Sequence, residues 1–524
     1  MQIFSFSPFG YEGSLVAVEV DLRRGIPSVD LVGLADGAVK ESRERMRSAI
    51  RNSGYDFPLE RVLISLSPAD LKKEGAGFDL ALALAVLYEN SRANKGCGQD
   101  CEVSEPVLIM GELELSGSIR AVKAVHAAAA TAAGAGIKKC IVPLANVAEA
   151  REVAGIKAFG ASTLTEAFES LQHPECFSGI GEDTEQAFVP EGSVKIESVL
   201  FPPEEPELDF IHVKNQGKLV RALQVAAAGG HNLLAYGPPG CGKTLSLCRF
   251  RGLLPLLTVE ESRATTRIYS IAGLMPANQS LVRIAPFRMP HQTASIEGIC
   301  GGGVNCRPGE VSLAHNGVLF LDEAAEFKTS VLQMLRVPLE SRTISLSRAG
   351  RSTVYPADFQ LLLATNPCPC GNFGAPDRMC LCSARSVEMY WRKFNGPLLD
   401  RIDIRVAVTS SVESEENEKP VSTAELRKAI ARAVCIQRKR QGVRNSHLLP
   451  QDILRFCSLG KSEQLMFDES VKKNDFSQRA VSGILRLART IADMEQSEKI
   501  KEHHLAEALE LRNNSGPLSL FSAS

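Results

Sequence analysis

The stretch Tyr236-Gly-Pro-Pro-Gly-Cys-Gly-Lys-Thr244 decides the fold, because it fits the nucleotide-phosphate loop pattern G-x-x-x-x-G-K-[ST] at every position. Residues 232–235 before it predict a strand, and residues 245–249 after it predict the start of a helix. In such a loop, successive backbone N–H groups face a phosphate at a helix N-terminus, which favours anions. The stretch therefore predicts an α/β domain that binds a nucleoside triphosphate.

The last two residues of the loop have the most specific predicted roles. Lys243 is expected to reach the β- and γ-phosphates of ATP, and Thr244 to place its hydroxyl on Mg²⁺. Cys241, inside the loop, is a candidate site of oxidation. The residues predicted to bind the nucleotide are Gly237, Pro238, Pro239, Gly240, Cys241, Gly242, Lys243, Thr244 and Leu245.

Length and composition limit the class of protein. A chain of 524 residues predicts about two to four domains. The formal charge is −2, so attraction to nucleic acid requires a local basic surface. No apolar run approaches the ~18 residues of a membrane span, and the first residues lack a signal-peptide pattern. We expect a cytoplasmic protein without a membrane partner, whose fourteen cysteines are reduced.

Composition shifts divide the chain into five segments. Residues 1–172 carry strand patterns at 14–20 and 61–66 and an alanine-rich helix at 121–134. The segment after them is rich in Glu, Pro and Gly, which is typical of a linker. The predicted segments are an N-terminal domain at 1–172, a linker at 173–207, an ATPase core at 208–410, a helical lid at 411–512 and a flexible tail at 513–524.

Hydrolysis requires further residues, and three downstream patterns supply them. Residues 317–323 form an apolar strand that ends in two acids, of which Asp322 is predicted to hold Mg²⁺ and Glu323 to activate water. A second apolar strand ends at Asn366, where its amide would contact the γ-phosphate or the water. The turn before Arg401 presents a guanidinium, whose planar fork suits phosphate oxygens.

Taken in this order, these motifs resemble an AAA+ ATPase. More closely, the chain resembles the magnesium-chelatase-like family named ComM or YifB, and the similarity covers nearly its whole length. The stretches that carry this resemblance are Ala226-Ala-Ala-Gly-Gly-His-Asn232, Arg307-Pro-Gly-Glu-Val-Ser-Leu-Ala-His-Asn-Gly317, Asn366-Pro-Cys-Pro-Cys-Gly371 and Ala488-Arg-Thr-Ile-Ala-Asp493. The implied architecture is a doubly wound parallel-sheet core with a helical C-terminal lid.

The resemblance also implies a homo-oligomeric ring, usually a hexamer, with ATP between subunits. It makes Arg401 the arginine finger and Arg479 the second sensor in the lid, although Arg479 also fits an ordinary helix surface charge. The chain departs from the family at one point. The family tends to have Val-x-Gly-Gln near the adenine, whereas this chain has Val213-Lys-Asn-Gln216.

Four cysteines form a C-x-C-x₉-C-x-C pattern directly after Asn366. Four thiolates on a short loop suit a closed, structural, tetrahedral Zn²⁺ site, and the alternative is four reduced thiols that lie near one another. A metal here would stiffen the strand that ends at Asn366. The predicted ligands are Cys368, Cys370, Cys380 and Cys382.

The sequence is less specific about what the ATPase acts on. A long segment at 283–309 and a predicted hairpin at 342–354 carry basic residues that would grip DNA phosphates without reading bases. These candidates are Arg288, His291, Arg348 and Arg351. The alternative is a solvated hairpin on the rim of the ring.

Two other functions remain possible at this stage: a chelatase-type protein remodeller, and an ATP-dependent assembly switch that does not translocate. The glycine-rich loop at 301–309 lacks the aromatic residue that protein-threading rings usually present, which favours nucleic acid. The family resemblance implies a DNA helicase activity that promotes branch migration during recombination or natural transformation.

The N-terminal segment resembles the proteolytic α+β domain of Lon, which raises the hypothesis of a Ser-Lys peptidase. Gly77 stands where the nucleophilic serine is expected, and His126 aligns with the lysine base. A Ser-Lys mechanism needs both groups. We therefore expect a non-proteolytic domain that stabilises the ring or docks substrate.

Overall fold

The computed structural model of the chain describes residues 2–34, 36–69, 73, 75–94, 105–179, 188–276, 279–348, 351–373, 378–408 and 420–513. The predicted tail lies outside these ranges apart from its first residue. The first part of the predicted lid, residues 411–419, also lies outside them.

The N-terminal part forms a mixed seven-stranded sheet in the order β3-β4-β2-β1-β5-β8-β9. Its strands, with the small β6–β7 hairpin, are β1 (Ile3–Ser7), β2 (Ser14–Arg23), β3 (Val29–Val32), β4 (Arg61–Ser67), β5 (Val107–Ile109), β6 (Glu112–Leu113), β7 (Ile119–Arg120), β8 (Lys139–Pro143) and β9 (Lys157–Ala161). Its helices are α1 (Gly37–Asn52), α2 (Asp79–Asn94), α3 (Val125–Gly134), α4 (Val147–Arg151) and α5 (Leu164–Ser170). The strands predicted at 14–20 and 61–66 are confirmed as β2 and β4, whereas the alanine-rich helix begins at Val125 rather than at residue 121.

The predicted ATPase core is built on a five-stranded, all-parallel sheet in the order β13-β16-β19-β12-β20. Strands β12, β16 and β19 are buried at every residue, because helices cover both faces of the sheet. The core strands are β12 (Leu233–Tyr236), β13 (Phe287–Arg288), β14 (Gly301–Gly302), β15 (Arg307–Pro308), β16 (Val318–Leu321), β17 (Thr343–Arg348), β18 (Arg351–Pro356), β19 (Gln360–Thr365) and β20 (Ile404–Ala407).

Nine helices accompany this sheet in the described part of the core, and five further helices follow it in the chain. The core helices are α6 (Gly217–Gly229), α7 (Lys243–Cys248), α8 (Val259–Ala272), α9 (Ile296–Cys300), α10 (Glu310–Leu313), α11 (Thr329–Met334), α12 (Pro338–Ser341), α13 (Ala384–Arg392) and α14 (Asn395–Leu399). The C-terminal helices are α15 (Thr423–Arg440), α16 (Pro450–Phe456), α17 (Lys461–Asn474), α18 (Gln478–Met494) and α19 (Glu502–Asn513). Within the described part of the chain, no helix combines the length and apolar character needed to cross a lipid bilayer.

The segment predicted as a linker, 173–207, differs from that expectation. It contains an antiparallel hairpin of β10 (Val194–Ile196) and β11 (Val199–Phe201). Val199 and Phe201 are fully buried in the same core as α6 and α15. The burial of this hairpin comes from Val199 and Phe201 of β11, which neighbouring helices cover, whereas β10 stays partly exposed. The Pro- and Glu-rich composition around the hairpin gave no signal of that burial.

A buried polar network fixes the C-terminal helices to the sheet. The His231 ring contacts Asp403 Oδ2 at 3.1 Å through Nδ1 and Thr490 Oγ1 at 2.8 Å through Nε2. Thr490 lies on α18, whereas His231 precedes β12 and Asp403 precedes β20. His231 and Thr490 are fully buried, so this Thr–His–Asp arrangement is closed to substrate and acts as a structural link.

The N-terminal domain docks on the β17–β18 hairpin of the core through its β1–β2 turn. Tyr11 donates its backbone N–H to Thr353 Oγ1 at 3.0 Å, and Arg267 Nε donates to the Tyr11 carbonyl at 3.0 Å. The Arg351 guanidinium lies 3.5 Å from the centroid of the Phe9 ring, a cation–π contact. The hairpin and the N-terminal domain are therefore packed together.

An ion pair with a fully buried carboxylate links α1 to α2 in the N-terminal domain. Asp79, whose side chain is 0% exposed, accepts from Arg45 Nε at 2.7 Å and from Arg45 Nη2 at 3.1 Å. Replacing Arg45 by Ala leaves a buried carboxylate without its charge partner. We expect this to lower the free energy of unfolding by about 3 kcal/mol, measured by urea denaturation.

The control for this prediction is Arg43→Ala on the same helix. Arg43 pairs with Glu44 in solvent, with both side chains at least half exposed, so its loss should change stability by less than about 1 kcal/mol. Equal effects of the two substitutions would contradict the proposed importance of the buried pair.

Candidate nucleotide-binding site

The phosphate loop connects β12 to α7 at the carboxyl edge of the parallel sheet. Gly240 and Gly242 have φ values of 82° and 79°, a left-handed conformation that glycine adopts without steric cost. The backbone thereby curls between the strand and the first turn of α7. The structure shows the strand–loop–helix context that the motif requires.

Lys243 folds back onto this loop. Its Nζ donates to the carbonyls of Gly237 at 2.7 Å and Pro238 at 2.8 Å, and the residue is 8% exposed. Burial lowers the pKa of Lys243 below its ordinary value. The ammonium group thus lies in the space that a phosphate would fill. When a nucleotide binds, its phosphate oxygens would replace the two carbonyls as hydrogen-bond partners of Lys243 Nζ.

The side chains of Thr244 and Asp322 are in contact, although the two residues follow different strands of the sheet. Thr244 Oγ1 lies 3.1 Å from Asp322 Oδ1 and 3.0 Å from Oδ2. A hydroxyl and a carboxylate are the oxygen ligands that Mg²⁺ prefers beside substrate phosphates, so these residues fit the predicted metal site. Glu323 follows in a left-handed conformation, with φ at 48°. Asp322 and Glu323 line the same cavity.

This cavity has a volume of about 740 Å³, which is in the range of small-molecule sites. Asn366 also lines it, next to Thr365, whose hydroxyl bonds the Tyr390 hydroxyl at 2.9 Å. The structure therefore brings together the phosphate loop, the two acids and Asn366. The full lining is Glu207, Leu208, Pro239, Gly240, Gly242, Lys243, Thr244, Leu245, Cys248, Arg249, Asp322, Glu323, Thr365 and Asn366.

Sequence reasoning missed several residues of this site. Gln216 binds the loop with both ends of its amide: its Nε2 donates to the Cys241 carbonyl, and its Oε1 accepts from Ser246 Oγ at 2.8 Å. Glu207, which composition predicts to be the last residue of the linker, also lines the cavity. The family pattern at 213–216 was the available signal for Gln216, whereas composition gave none for Glu207.

Asn215 explains how the chain tolerates its departure from the family pattern. This residue stands where the family tends to have glycine, and its φ is 56°, in the left-handed region. Asparagine is among the few side chains that adopt this region readily. The backbone turn that presents Gln216 to the phosphate loop is thus kept.

Arg401 and Arg479 do not lie beside the chain's own phosphate loop. Both line a second cavity of about 510 Å³, where they share the carboxylate of Glu340. Arg479 Nη2 donates to Glu340 Oε1 at 2.8 Å, and Arg401 Nη2 donates to Oε2 of the same group. The Arg401 guanidinium holds the pKa of Glu340 below its ordinary value, and Arg479 adds to that effect. No sequence motif marked Glu340.

The four cysteines converge, as their spacing predicts. Cys368 Sγ lies 3.4 Å from Cys370 Sγ and 3.7 Å from Cys380 Sγ, and the last two are 3.6 Å apart. Cys382 joins the same cluster. All four are free thiols. Gly374 and Pro376, expected to form the turn of this loop, lie outside the described residues.

A second cluster of potential ligands in the described ranges consists of Glu495, His503 and His504. Glu495 Oε2 lies 3.0 Å from Nε2 of both histidines. His504 accepts the Lys501 backbone N–H at its Nδ1 at 2.9 Å, so its neutral ring carries the proton on Nε2. That nitrogen is a donor to Glu495, and the hydrogen bonds account for this cluster without a metal.

The four basic candidates for DNA contact lie in different settings. Arg288 belongs to the edge strand β13, and Glu310 accepts from it twice, at 2.6 and 2.8 Å. The charge of Arg288, which is predicted to contact DNA phosphates, is thus engaged in an ion pair within the chain. Arg351 contacts Phe9, whereas His291 and Arg348 are exposed. The hairpin tip at 349–350 lies outside the described residues.

The structure also describes the surroundings of the two positions that bear on peptidase activity, Gly77 and His126. Gly77 lies in a 3₁₀ turn before α2 and offers no side chain. His126 lies on α3, and its backbone N–H donates to Ser270 Oγ of the core at 3.2 Å. Burial, with Arg267 and Arg263 nearby, lowers the pKa of His126 to about 3.

Substitution of Lys243 tests the nucleotide site. Lys243→Ala removes the one ammonium group that the loop encloses, and charge-assisted hydrogen bonds contribute about 1.5–3 kcal/mol each. We expect affinity for a fluorescent ATP analogue to fall roughly 10- to 100-fold. Lys138→Ala, which changes an exposed lysine of the N-terminal domain, serves as the control and should bind normally. Unchanged affinity in Lys243→Ala would place the nucleotide elsewhere.

Three sequence profiles of magnesium chelatase together cover most of the chain. They match residues 18–146 (subunit ChlI of Mg-chelatase), 209–417 (magnesium chelatase, subunit ChlI) and 420–512 (magnesium chelatase, subunit ChlI C-terminal). The similar proteins include the competence protein ComM of Haemophilus influenzae, 35% identical over 514 residues that make up 97% of each chain.

Two further relatives agree over similar lengths. YifB of Escherichia coli is 36% identical over 507 residues, 96% of this chain and 95% of YifB. An uncharacterized protein of Mycobacterium tuberculosis is 38% identical over 497 residues, 94% of each chain. Full-length similarity at this level, together with the three profiles, shows that the chain belongs to the magnesium-chelatase-like family of ComM and YifB.

Proposed function

We propose that the chain is a Mg²⁺-dependent AAA+ ATPase that works as a ring-forming motor on DNA. The observation that carries the ATPase part is the contact between the Thr244 hydroxyl and both carboxylate oxygens of Asp322, at 3.0 and 3.1 Å. Lys243 and Glu323 line the same cavity. The residues proposed to bind phosphate, to hold the metal and to act as the general base therefore line one cavity.

The proposed reaction assigns each of these residues one task. The loop N–H groups and Lys243 bind and orient the phosphates, and Asn366 positions the attacking water. Glu323 accepts the proton that the water loses as its oxygen attacks the γ-phosphorus and the bond to ADP breaks. Mg²⁺, held by Thr244 and Asp322, would supply charge neutralisation at the phosphate oxygens.

Ring formation is supported by the position of the two arginines. Arg401 and Arg479 line the cavity that contains Glu340, whereas the phosphate-loop cavity has a different lining. Such a placement suits a head-to-tail assembly in which each subunit supplies both guanidinium groups to the nucleotide of its neighbour. We propose a homo-hexamer, as is usual for the family.

DNA is proposed as the substrate on two grounds. A relative with 35% identity is named a competence protein, and the family resemblance implies helicase activity in branch migration, within recombination or natural transformation. His291 and Arg348 are exposed basic groups that suit contact with phosphates, and Arg351 lies on the same hairpin as Arg348. The alternatives are a chelatase-type protein remodeller and an assembly switch that does not translocate.

Three further assignments complete the proposal. The four cysteines hold one structural Zn²⁺, because their sulfur atoms cluster and remain unpaired as thiols. The N-terminal domain is a non-proteolytic, Lon-like scaffold, because Gly77 offers no nucleophile and His126 is buried against the core. The protein acts in the cytoplasm.

DNA dependence is tested by ATP turnover with and without branched DNA. We expect stimulation by DNA, and we expect Glu323→Gln to reduce turnover at least about 100-fold while it still binds ATP. Glu326→Gln, an exposed acid three residues later, is the control and should retain turnover. Turnover that no DNA structure changes would favour the switch or the protein remodeller.

The shared interface is tested by mixing inactive variants. The Arg479→Ala subunit keeps an intact phosphate loop, and the Lys243→Ala subunit keeps an intact pair of arginines. A mixture of the two can therefore form complete sites between subunits, and we expect it to regain the ATP turnover that each variant lacks alone. Arg401→Ala mixed with Lys243→Ala should behave in the same way. A mixture of Lys243→Ala with Glu323→Gln should stay inactive, because both changes lie in one cavity. If Arg479→Ala is not rescued, Arg479 acts on the nucleotide of its own subunit.

A further inference from the structure

The four-cysteine loop is close to the shape that a bound zinc ion requires. With Zn–S bonds of about 2.3 Å, sulfur atoms at the corners of a tetrahedron lie about 3.8 Å apart. The three observed separations are 3.4, 3.6 and 3.7 Å. A disulfide, by contrast, would require about 2.05 Å.

This loop is tied to the strands of the nucleotide site. Cys368 follows Asn366 by two residues and is fully buried. The Pro367 carbonyl between them accepts the indole N–H of Trp391 at 3.0 Å. The Trp391 ring packs edge-on against Tyr236, the last residue before the phosphate loop, with centroids 5.7 Å apart.

A direct contact joins the cysteine loop to the phosphate loop. Gly371 has φ at +79°, and a Cβ placed on it would lie 2.8 Å from Pro239 Cδ and 3.9 Å from Asn366 Cγ. The Gly371 N–H donates to the Cys368 carbonyl at 3.0 Å, which closes the turn between the first two cysteines. Glycine is required here because the cysteine turn lies against the phosphate loop.

Around Cys380, on the described far side of the loop, the apolar side chains are largely in solvent. Met379 and Leu381, which flank Cys380, are 82% and 86% exposed. A segment that buries so few of its apolar groups gains order chiefly from metal coordination. The metal would therefore determine whether Gly371 remains against Pro239.

We propose that zinc occupancy of the four-cysteine site controls nucleotide affinity, through the contact between Gly371 and Pro239. This proposal rests on the zinc assignment above and adds a regulatory role to it. When zinc is bound, it holds the cysteine loop in place, and the cysteine loop supports the phosphate loop. Nucleotide binding then requires little further ordering of the phosphate loop. Loss of zinc releases that support, and the phosphate loop must be ordered by the nucleotide itself.

The test measures zinc content and affinity for a fluorescent ATP analogue on the same full-length samples. Wild-type protein should contain one zinc per chain and lose about tenfold or more in affinity when a chelator removes it, with recovery on zinc addition. Cys380→Ser should lose both zinc and affinity. Gly371→Ala should keep its zinc yet lose affinity, because the new methyl group displaces Pro239.

Gly442→Ala is the matched control for Gly371→Ala. Gly442 has a similar φ of +77°, but a Cβ there meets nothing within 4 Å, so affinity should stay normal. Zinc-free wild-type protein with normal affinity would overturn the proposal, as would Gly371→Ala with normal affinity. Either result would leave the ATPase assignment untouched, since the Lys243 and Glu323 variants test that separately.

Discussion

The parallel pairing of β12, β19 and β16 is the constraint on which the site depends. Because parallel strands end at the same edge, this pairing places Thr244, Asn366 and Asp322 side by side although they are far apart in the chain. These three strands are buried at every residue between two helical layers, and the candidate site residues follow directly after that burial ends. The chemistry of the molecule is thus located at the boundary of its core.

The sequence predicts those parts of the structure that are encoded locally. The phosphate loop and the acid-ended strand are contiguous patterns, so their residues and approximate positions follow directly. What it could not predict are pairings between distant segments. Glu310 neutralises Arg288, and Glu340 binds both Arg401 and Arg479, although nothing near these residues indicates it. The β10–β11 hairpin could not be predicted for the same reason, since its burial comes from contacts with α6 and α15.

The two cavities differ in their balance of charge. The second cavity is lined by four arginines, one histidine and four carboxylates, so Glu340 is one of several acids that offset its guanidinium groups. The phosphate-loop cavity is lined by three carboxylates, one lysine and one arginine, so acidic groups outnumber basic ones there. A divalent cation beside the nucleotide phosphates would offset that excess of negative charge.

Asn215 limits how this chain can vary during evolution. The left-handed backbone at this position aims Gln216 at the phosphate loop, and most side chains destabilise that conformation by roughly 1 kcal/mol or more. Exchange between glycine and asparagine is therefore nearly neutral, whereas a β-branched residue would be selected against. We therefore expect few residue types at position 215 among related chains. The reason is backbone geometry and is independent of any contact with the base.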